Sequence, residues 1–156
     1  MKKNGLKIIL ASLILVSFIM TSCEKEGDTP NYVGTWTMQQ SLEIGGFESN
    51  VENIVVLTES RIEMTSAIVL DGLNMPAFGM KGDLNASATK FTISPTTVGT
   101  GNESGGMDWI NSDDERWSED LSKMEMEESF EAVYLVVGNK LTLTMPDSLP
   151  LVFTRQ

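Results

Sequence analysis

One side chain near the start of this chain invites covalent chemistry. Cys23 is the single cysteine among 156 residues, and Thr21-Ser22 stand directly before it. A lone thiol forms no internal disulfide, which leaves it free for modification. The rest of the chemical inventory is narrow. No histidine is present, which removes His/Cys zinc sites and every Cys–His or Ser–His dyad. Acids are plentiful, 22 in all. A glycosidase pair needs a defined separation and two different environments, and so many carboxylates supply many accidental pairs. There is no Gly-x-Ser-x-Gly elbow and no phosphate-binding glycine loop. We therefore assign no catalytic residue, no cofactor and no metal ligand, and expect a protein that is not an enzyme. Ten acids between Asp108 and Glu131 face only Arg116 and Lys123. Without EF-hand spacing, that run reads as a solvated face.

The elements around Cys23 define its context. Lys2, Lys3 and Lys7 precede Ile8 to Met20, an uncharged stretch of 13 residues. As a helix it would rise only about 20 Å, against a bilayer core of about 30 Å. Residues 1–22 are thus expected to be a cleaved export signal. Thr21-Ser22-Cys23 resembles a bacterial lipobox, which implies diacylglycerol on the Cys23 thiol and acyl chains such as palmitate. An ordinary signal peptide with an incidental cysteine is the other reading. Acyl chains contribute about 0.8 kcal/mol per buried CH₂ and hold a domain on a membrane without spanning it. Residues 23–32 are polar and read as a flexible tether. Glu24, Glu26 and Asp28 resemble the acidic residues that mark surface transport in Bacteroidetes lipoproteins. The cell envelope, with an outer-membrane anchor, is the expected address, and both the periplasmic and the surface face stay open. From Cys23 onward, eight basic residues stand against all 22 acidic ones, a formal charge of −14. Such a surface repels phosphate backbones, so nucleic acid is not an expected partner.

From Val33 the dominant period is two. Strands are expected at about 33–44, 50–58, 61–70, 77–86, 91–93, 125–137, 140–145 and 149–156, with Pro95 ending the fifth. Trp36, Met38, Leu42 and Ile44 share one parity, as do Leu151, Phe153 and Arg155. Gly45-Gly46, Asp71-Gly72 and Gly138-Asn139 mark turns. Eight strands with mostly short turns predict an all-β, antiparallel up-and-down barrel or a sandwich. If first and last strands meet, the ring closes and Arg155 can lie over the Trp36 indole as a cation–π lid.

Gly34-x-Trp36 near the start and Gly138-Asn139-Lys140-Leu141-Thr142-Leu143-Thr144 with Phe153-Thr154-Arg155 at the end carry a resemblance. In this order, behind a lipobox-like cysteine, they resemble the lipocalin-like (calycin) β-barrels, more narrowly the lipocalin-like domains of Bacteroidetes lipoproteins. The resemblance covers about 33–156 and implies an eight-stranded barrel closed by Gly34, Trp36 and Arg155.

Between Val98 and Glu125 the alternation fails. Ser112-Asp113-Asp114-Glu115 has capping-box spacing, and Trp117, Leu121 and Met124 fall at i, i+4 and i+7. These predict one short amphipathic helix at about 113–123 on a long insertion. Trp109, Trp117 and Leu121 then either cover an open end of the barrel or form a mobile lid over a ligand. Ten methionines fit adaptable apolar contact, and equally fit core filling.

The leading functional expectation is a membrane-anchored protein that binds a small apolar molecule inside the barrel. Met38, Met64, Phe78, Met80, Phe91, Phe130 and Tyr134, on inward parities, would supply the contacts. The alternative is a non-enzymatic structural or interaction subunit of a cell-envelope assembly, with a filled core and residues 108–131 as contact surface. A glycan-binding lipoprotein, with Trp109 and Trp117 as platforms, is the third.

Overall fold

The computed structural model describes residues 29–44, 47–70 and 72–156. The signal at 1–22, Cys23, the acids Glu24, Glu26 and Asp28, the Gly45-Gly46 turn and Asp71 lie outside the described residues. Among the described residues, nine strands run in chain order: β1 (Gly34–Ile44), β2 (Phe47–Leu57), β3 (Arg61–Leu70), β4 (Leu73–Ala86), β5 (Lys90–Gly101), β6 (Met107–Asn111), β7 (Phe130–Val137), β8 (Lys140–Thr144) and β9 (Leu151–Arg155). The helix of the described residues, α1 (Trp117–Lys123), lies between β6 and β7.

Every pairing is antiparallel. The β4–β5 pairing joins the two ends of the run β4-β3-β2-β1-β9-β8-β7-β5, so eight strands close an up-and-down ring. The remaining strand, β6, sits outside it. β7 takes only Lys90 to Ile93 of β5, and β6 takes Thr97 to Gly101.

The alternation read from the sequence sets the inward side. Trp36, Val55, Met64, Met80 and Val98 make one cross-strand row, and all but the half-buried Met64 are fully buried. Above it, Met38, Asn53, Ser66 and Phe78 make the next row. On β7, Ala132 is buried, and Val133, Leu135 and Val137 point out to solvent. The buried core runs from Tyr32 to Phe153. Among the described residues, the ring and the core cluster are built from residues 32–155.

The base is closed as expected. Trp36 pairs with Arg155, whose guanidinium lies 4.5 Å from the indole centroid. The Trp36 indole N–H donates to the Tyr32 carbonyl at 2.8 Å, and an Arg155 N–H donates to the Asn31 carbonyl. Gly34 has φ +145°, a conformation that L side chains rarely adopt, and it brings the chain past the Arg155 side chain. Tyr32, at the end of the stretch read as a tether, belongs to the core. Its ring meets Phe91 and Tyr134 edge-on at 5.0 and 5.5 Å, and Phe91 stacks on Tyr134 at 3.9 Å.

Burial, then the neighbouring Tyr134 and Glu59, raise the Tyr32 phenol above its ordinary pKa of 10.0. In the unfolded chain it ionises near pH 10, and in the folded chain only at higher pH. Its contribution to stability is thus intact below about pH 10 and is lost as pH rises through the folded value. Urea midpoints measured from pH 8 to 11 should fall more steeply in the parent than in Tyr32→Phe. Equal slopes would contradict this.

Three expectations need correction. β5 does not stop at Pro95 but continues to Gly101, because Pro95 pairs with Gly82 where the β4–β5 register shifts. Proline is tolerated at such irregularities, where no ladder donor is required. The helix starts at Trp117, not 113. Asp114 accepts hydrogen bonds from the Arg116 backbone N–H and guanidinium at 2.9–3.1 Å, so Ser112 to Glu115 form a turn and Arg116 is an N-cap without a side-chain cap. That guanidinium also holds the Asp114 carboxyl below the usual carboxylate range. Finally β6, with its apolar residues on both parities, was not expected as a strand.

The end of α1 is a Schellman motif. Met126 N–H donates to Leu121 O at 2.9 Å and Glu125 N–H to Ser122 O at 3.1 Å, with Glu125 at φ +55°. A left-handed non-glycine costs about 1–2 kcal/mol. Part of that returns as lower unfolded-state entropy relative to glycine. Glu125→Gly is therefore expected to raise stability by about 0.5–1 kcal/mol, read as a melting temperature higher by about 2–4 °C. A lower melting temperature would count against this motif.

Candidate functional site

The two ends of the barrel differ. At the base, Tyr134 Oη donates to Ser87 O at 2.9 Å and the Arg155 backbone N–H to Asn139 O at 2.8 Å, tying the β4–β5 turn to β7 and the β7–β8 turn to the end of β9. The opposite end carries the β1–β2 and β3–β4 hairpin tips, the β8–β9 connection and the entry to β7.

At that mouth lies a cleft of about 410 Å³ lined by Met64, Phe78, Met80, Glu125, Met126, Glu127, Phe130, Met145, Pro146 and Asp147. The strands explain its chemistry. Met64 on β3 and Met80 on β4 are register partners in the Trp36 row, and Phe78 lies one row nearer the mouth. Phe130 opens β7, and Met145 ends the Leu141-Leu143-Met145 parity of β8. The Schellman turn at Glu125 swings Met126 back toward Leu121 and makes the roof. Four thioethers and two phenyl rings thus form an apolar lining that can adjust its shape.

Polar side chains also stand on the inner wall, Asn53 and Ser66 in the row of Phe78. Asn53 is 9% exposed, and its Oδ1 accepts from Ser66 Oγ at 2.6 Å. Its amide nitrogen is buried and has no hydrogen-bond partner among the described residues. A buried unpaired donor costs about 1–3 kcal/mol.

Of the seven side chains expected to contact a ligand, Met64, Phe78, Met80 and Phe130 come together in this cleft. Phe91 and Tyr134 are instead stacked at the base. Met38 packs against the core in the Asn53 row.

The three residues expected at an end of the barrel separate. Trp117 and Leu121 are buried in the core cluster. Trp109 lies on the outer wall, because it pairs with Gly99 on the face opposite Val98. Its indole rests on the paired glycines Gly79 and Gly99, where a Cβ at either position would come within 2.8 Å of the ring, and Lys81 Nζ sits 5.3 Å from its centroid. Sequence reasoning missed Met126, Met145, Glu125, Glu127 and Asp147. Met145 was legible from its parity with Leu141 and Leu143. Met126 was not, because its placement depends on one left-handed residue.

A second groove of about 410 Å³ lies on the outer wall among Arg61, Glu63, Lys81 and Asp83. Its charges are of both signs, and Lys81 pairs with Glu63 at 3.2 Å, so it has no comparable apolar floor. Among the described residues, no three His, Cys, Asp or Glu side chains are grouped to hold a metal ion, and no helix is long and apolar enough to cross a membrane.

No protein-family model and no curated protein matches the chain, so residues and geometry carry the functional reading.

Proposed function

We propose that this chain is a membrane-tethered, lipocalin-like binding protein that takes a small, mainly apolar molecule into the mouth of its barrel. The observation that supports it most is the Met64, Phe78, Met80, Met126, Phe130 and Met145 lining of a 410 Å³ cleft at the mouth of a closed ring. Ligand sites are of this kind: about 300–1,000 Å³, concave, apolar and carrying a few polar groups. The tether is the expected acyl anchor on Cys23, in the envelope of a bacterium of the Bacteroidetes type.

Residues 29–156 titrated with the neutral dye N-phenyl-1-naphthylamine are expected to give saturable fluorescence with Kd on the order of 10 µM. A linear, unsaturable response would overturn the proposal. One observation favours the alternative role as an interaction subunit. Val133, Leu135 and Val137 on β7 and Val152 on β9 are exposed on the outer wall, with Thr142 pairing Leu135 to Val152. If that role holds instead, crosslinking from position 135 in intact cells yields a reproducible protein partner and the dye does not saturate.

A further inference from the structure

The outer wall of the barrel is chemically lopsided. Val133, Leu135 and Val137 on β7 and Val152 on β9 stand 45–66% exposed, with Thr142 of β8 between Leu135 and Val152. Among the described residues, Glu131 is the one acid on the outward parity of these three strands, and Lys90 meets it at 2.8 Å. Lys140, at the base end of the same wall, forms no ion pair with a described acid. Yet the chain from Cys23 onward carries a formal charge of −14. Across the ring, β2, β3 and β4 turn Glu48, Glu52, Glu63 and Asp83 outward against Arg61 and Lys81.

The chain enters the barrel at the lower end of the apolar wall. The Arg155 side chain donates to the Asn31 carbonyl, and its backbone N–H donates to Asn139 O at 2.8 Å, in the turn that follows Val137. Seven residues run from Cys23 to Thr29. Fully extended they reach about 25 Å. The eight residues of β7 rise about 26 Å. A bilayer that holds an acyl anchor on Cys23 is thus kept within about one strand length of Val137.

Two considerations favour lipid over a protein on this wall. A stable protein interface buries about 800 Å² per partner, from about 20–30 residues, and four apolar side chains on a convex wall make a narrow strip. A tethered surface needs less contact, because the tether keeps its effective concentration high. Apolar groups that enter the headgroup boundary, with a lysine beside them and no unpaired acid, also match an anionic lipid surface.

We propose that the β7–β9 wall is the face this protein lays on the bilayer that anchors it, with Val133, Leu135, Val137 and Val152 entering the lipid interface. The barrel then lies on its side, and its cleft opens along the membrane surface. This orientation rests on the Cys23 anchor proposed above and is independent of what the cleft binds.

The test supplies the anchor chemically. The chain from Cys23 to Gln156, with valine and leucine methyl groups labelled by carbon-13, is coupled through the Cys23 thiol to a maleimide phospholipid. The nanodiscs are phosphatidylcholine with a minor share of phosphatidylglycerol and a trace of gadolinium-chelate lipid. Methyl signals of Val133, Leu135, Val137 and Val152 are expected to be lost, while Val56 on the opposite wall and Leu70 and Leu73 at the mouth persist. In Leu135→Glu/Val137→Glu, two exposed changes that leave the core untouched, the signals of Val133 and Val152 should return. Their continued loss in that variant would overturn the proposal. Uniform weak broadening in the parent would mean that the barrel moves freely on its tether, and loss centred on Val33 would mean that it stands on its base; either result refutes the side-on orientation. A single protein partner crosslinked from position 135 in intact cells would assign the wall to protein instead. Mass spectrometry of the full chain made in a bacterium that processes lipoproteins tests the anchor separately. No acyl mass on Cys23 would sink the anchor, and with it this orientation in the cell.

Discussion

Trp36→Ala should destabilise residues 29–156 by about 3–5 kcal/mol, the range for removing a large aromatic side chain from a packed core. The indole is fully buried, and three losses coincide at this position. Its volume leaves a void in the row with Val55, Met80 and Val98. The Tyr32 carbonyl loses its 2.8 Å donor, and Arg155 loses the ring beneath its guanidinium. Arg155→Ala alone should cost less, about 0.5–2 kcal/mol, because the guanidinium is exposed and the cation–π term is small at such sites. The double variant should then cost less than the sum of the two, since both remove one shared contact. Urea midpoints with unchanged slope would measure all three. A Trp36→Ala cost below about 1.5 kcal/mol, or strict additivity with Arg155→Ala, would mean that the seam between β1 and β9 does not hold the ring closed.

The second large effect concerns binding. Met64 projects inward between Val55 and Met80 and lines the cleft. Met64→Trp replaces a flexible thioether by a rigid indole and takes up volume that a ligand needs. Affinity for N-phenyl-1-naphthylamine is expected to fall at least tenfold, which corresponds to about 1.4 kcal/mol or more. Stability should change by less than about 2 kcal/mol, because Met64 is only half-buried and the cleft can admit the ring. Undiminished dye binding in a folded Met64→Trp protein would place the dye elsewhere.

Much of the architecture was legible because a strand with one wet face writes its parity into the sequence. Trp36, Met64, Met80 and Phe130 were each placed inward by alternation alone, and the Trp36–Arg155 contact followed from joining the first and last runs. What was hidden depended on relations that alternation does not carry. Met107, Trp109 and Ile110 put apolar side chains on both faces of β6, so the period-two signal cancels. The reason is visible only in the fold: the outer wall offers Trp109 a platform of Gly79 and Gly99, glycines 20 residues apart in sequence. Capping-box spacing at Ser112 suggested an early helix start, and the bidentate Asp114–Arg116 contact claimed those residues for a turn instead. The roof of the cleft turns on Glu125 adopting a left-handed conformation, a choice that no local propensity announces.

The most direct test of the cleft is residue-resolved. With methionine methyl groups labelled by carbon-13 in residues 29–156, a ligand in the barrel mouth should shift the signals of Met64, Met80, Met126 and Met145 in one saturable titration with N-phenyl-1-naphthylamine. Met107, beside Trp109 on the outer wall, and Met75, exposed on β4, should stay in place. Shifts confined to Met75 and Met107, or none at all at saturating probe, would contradict a binding site inside the ring.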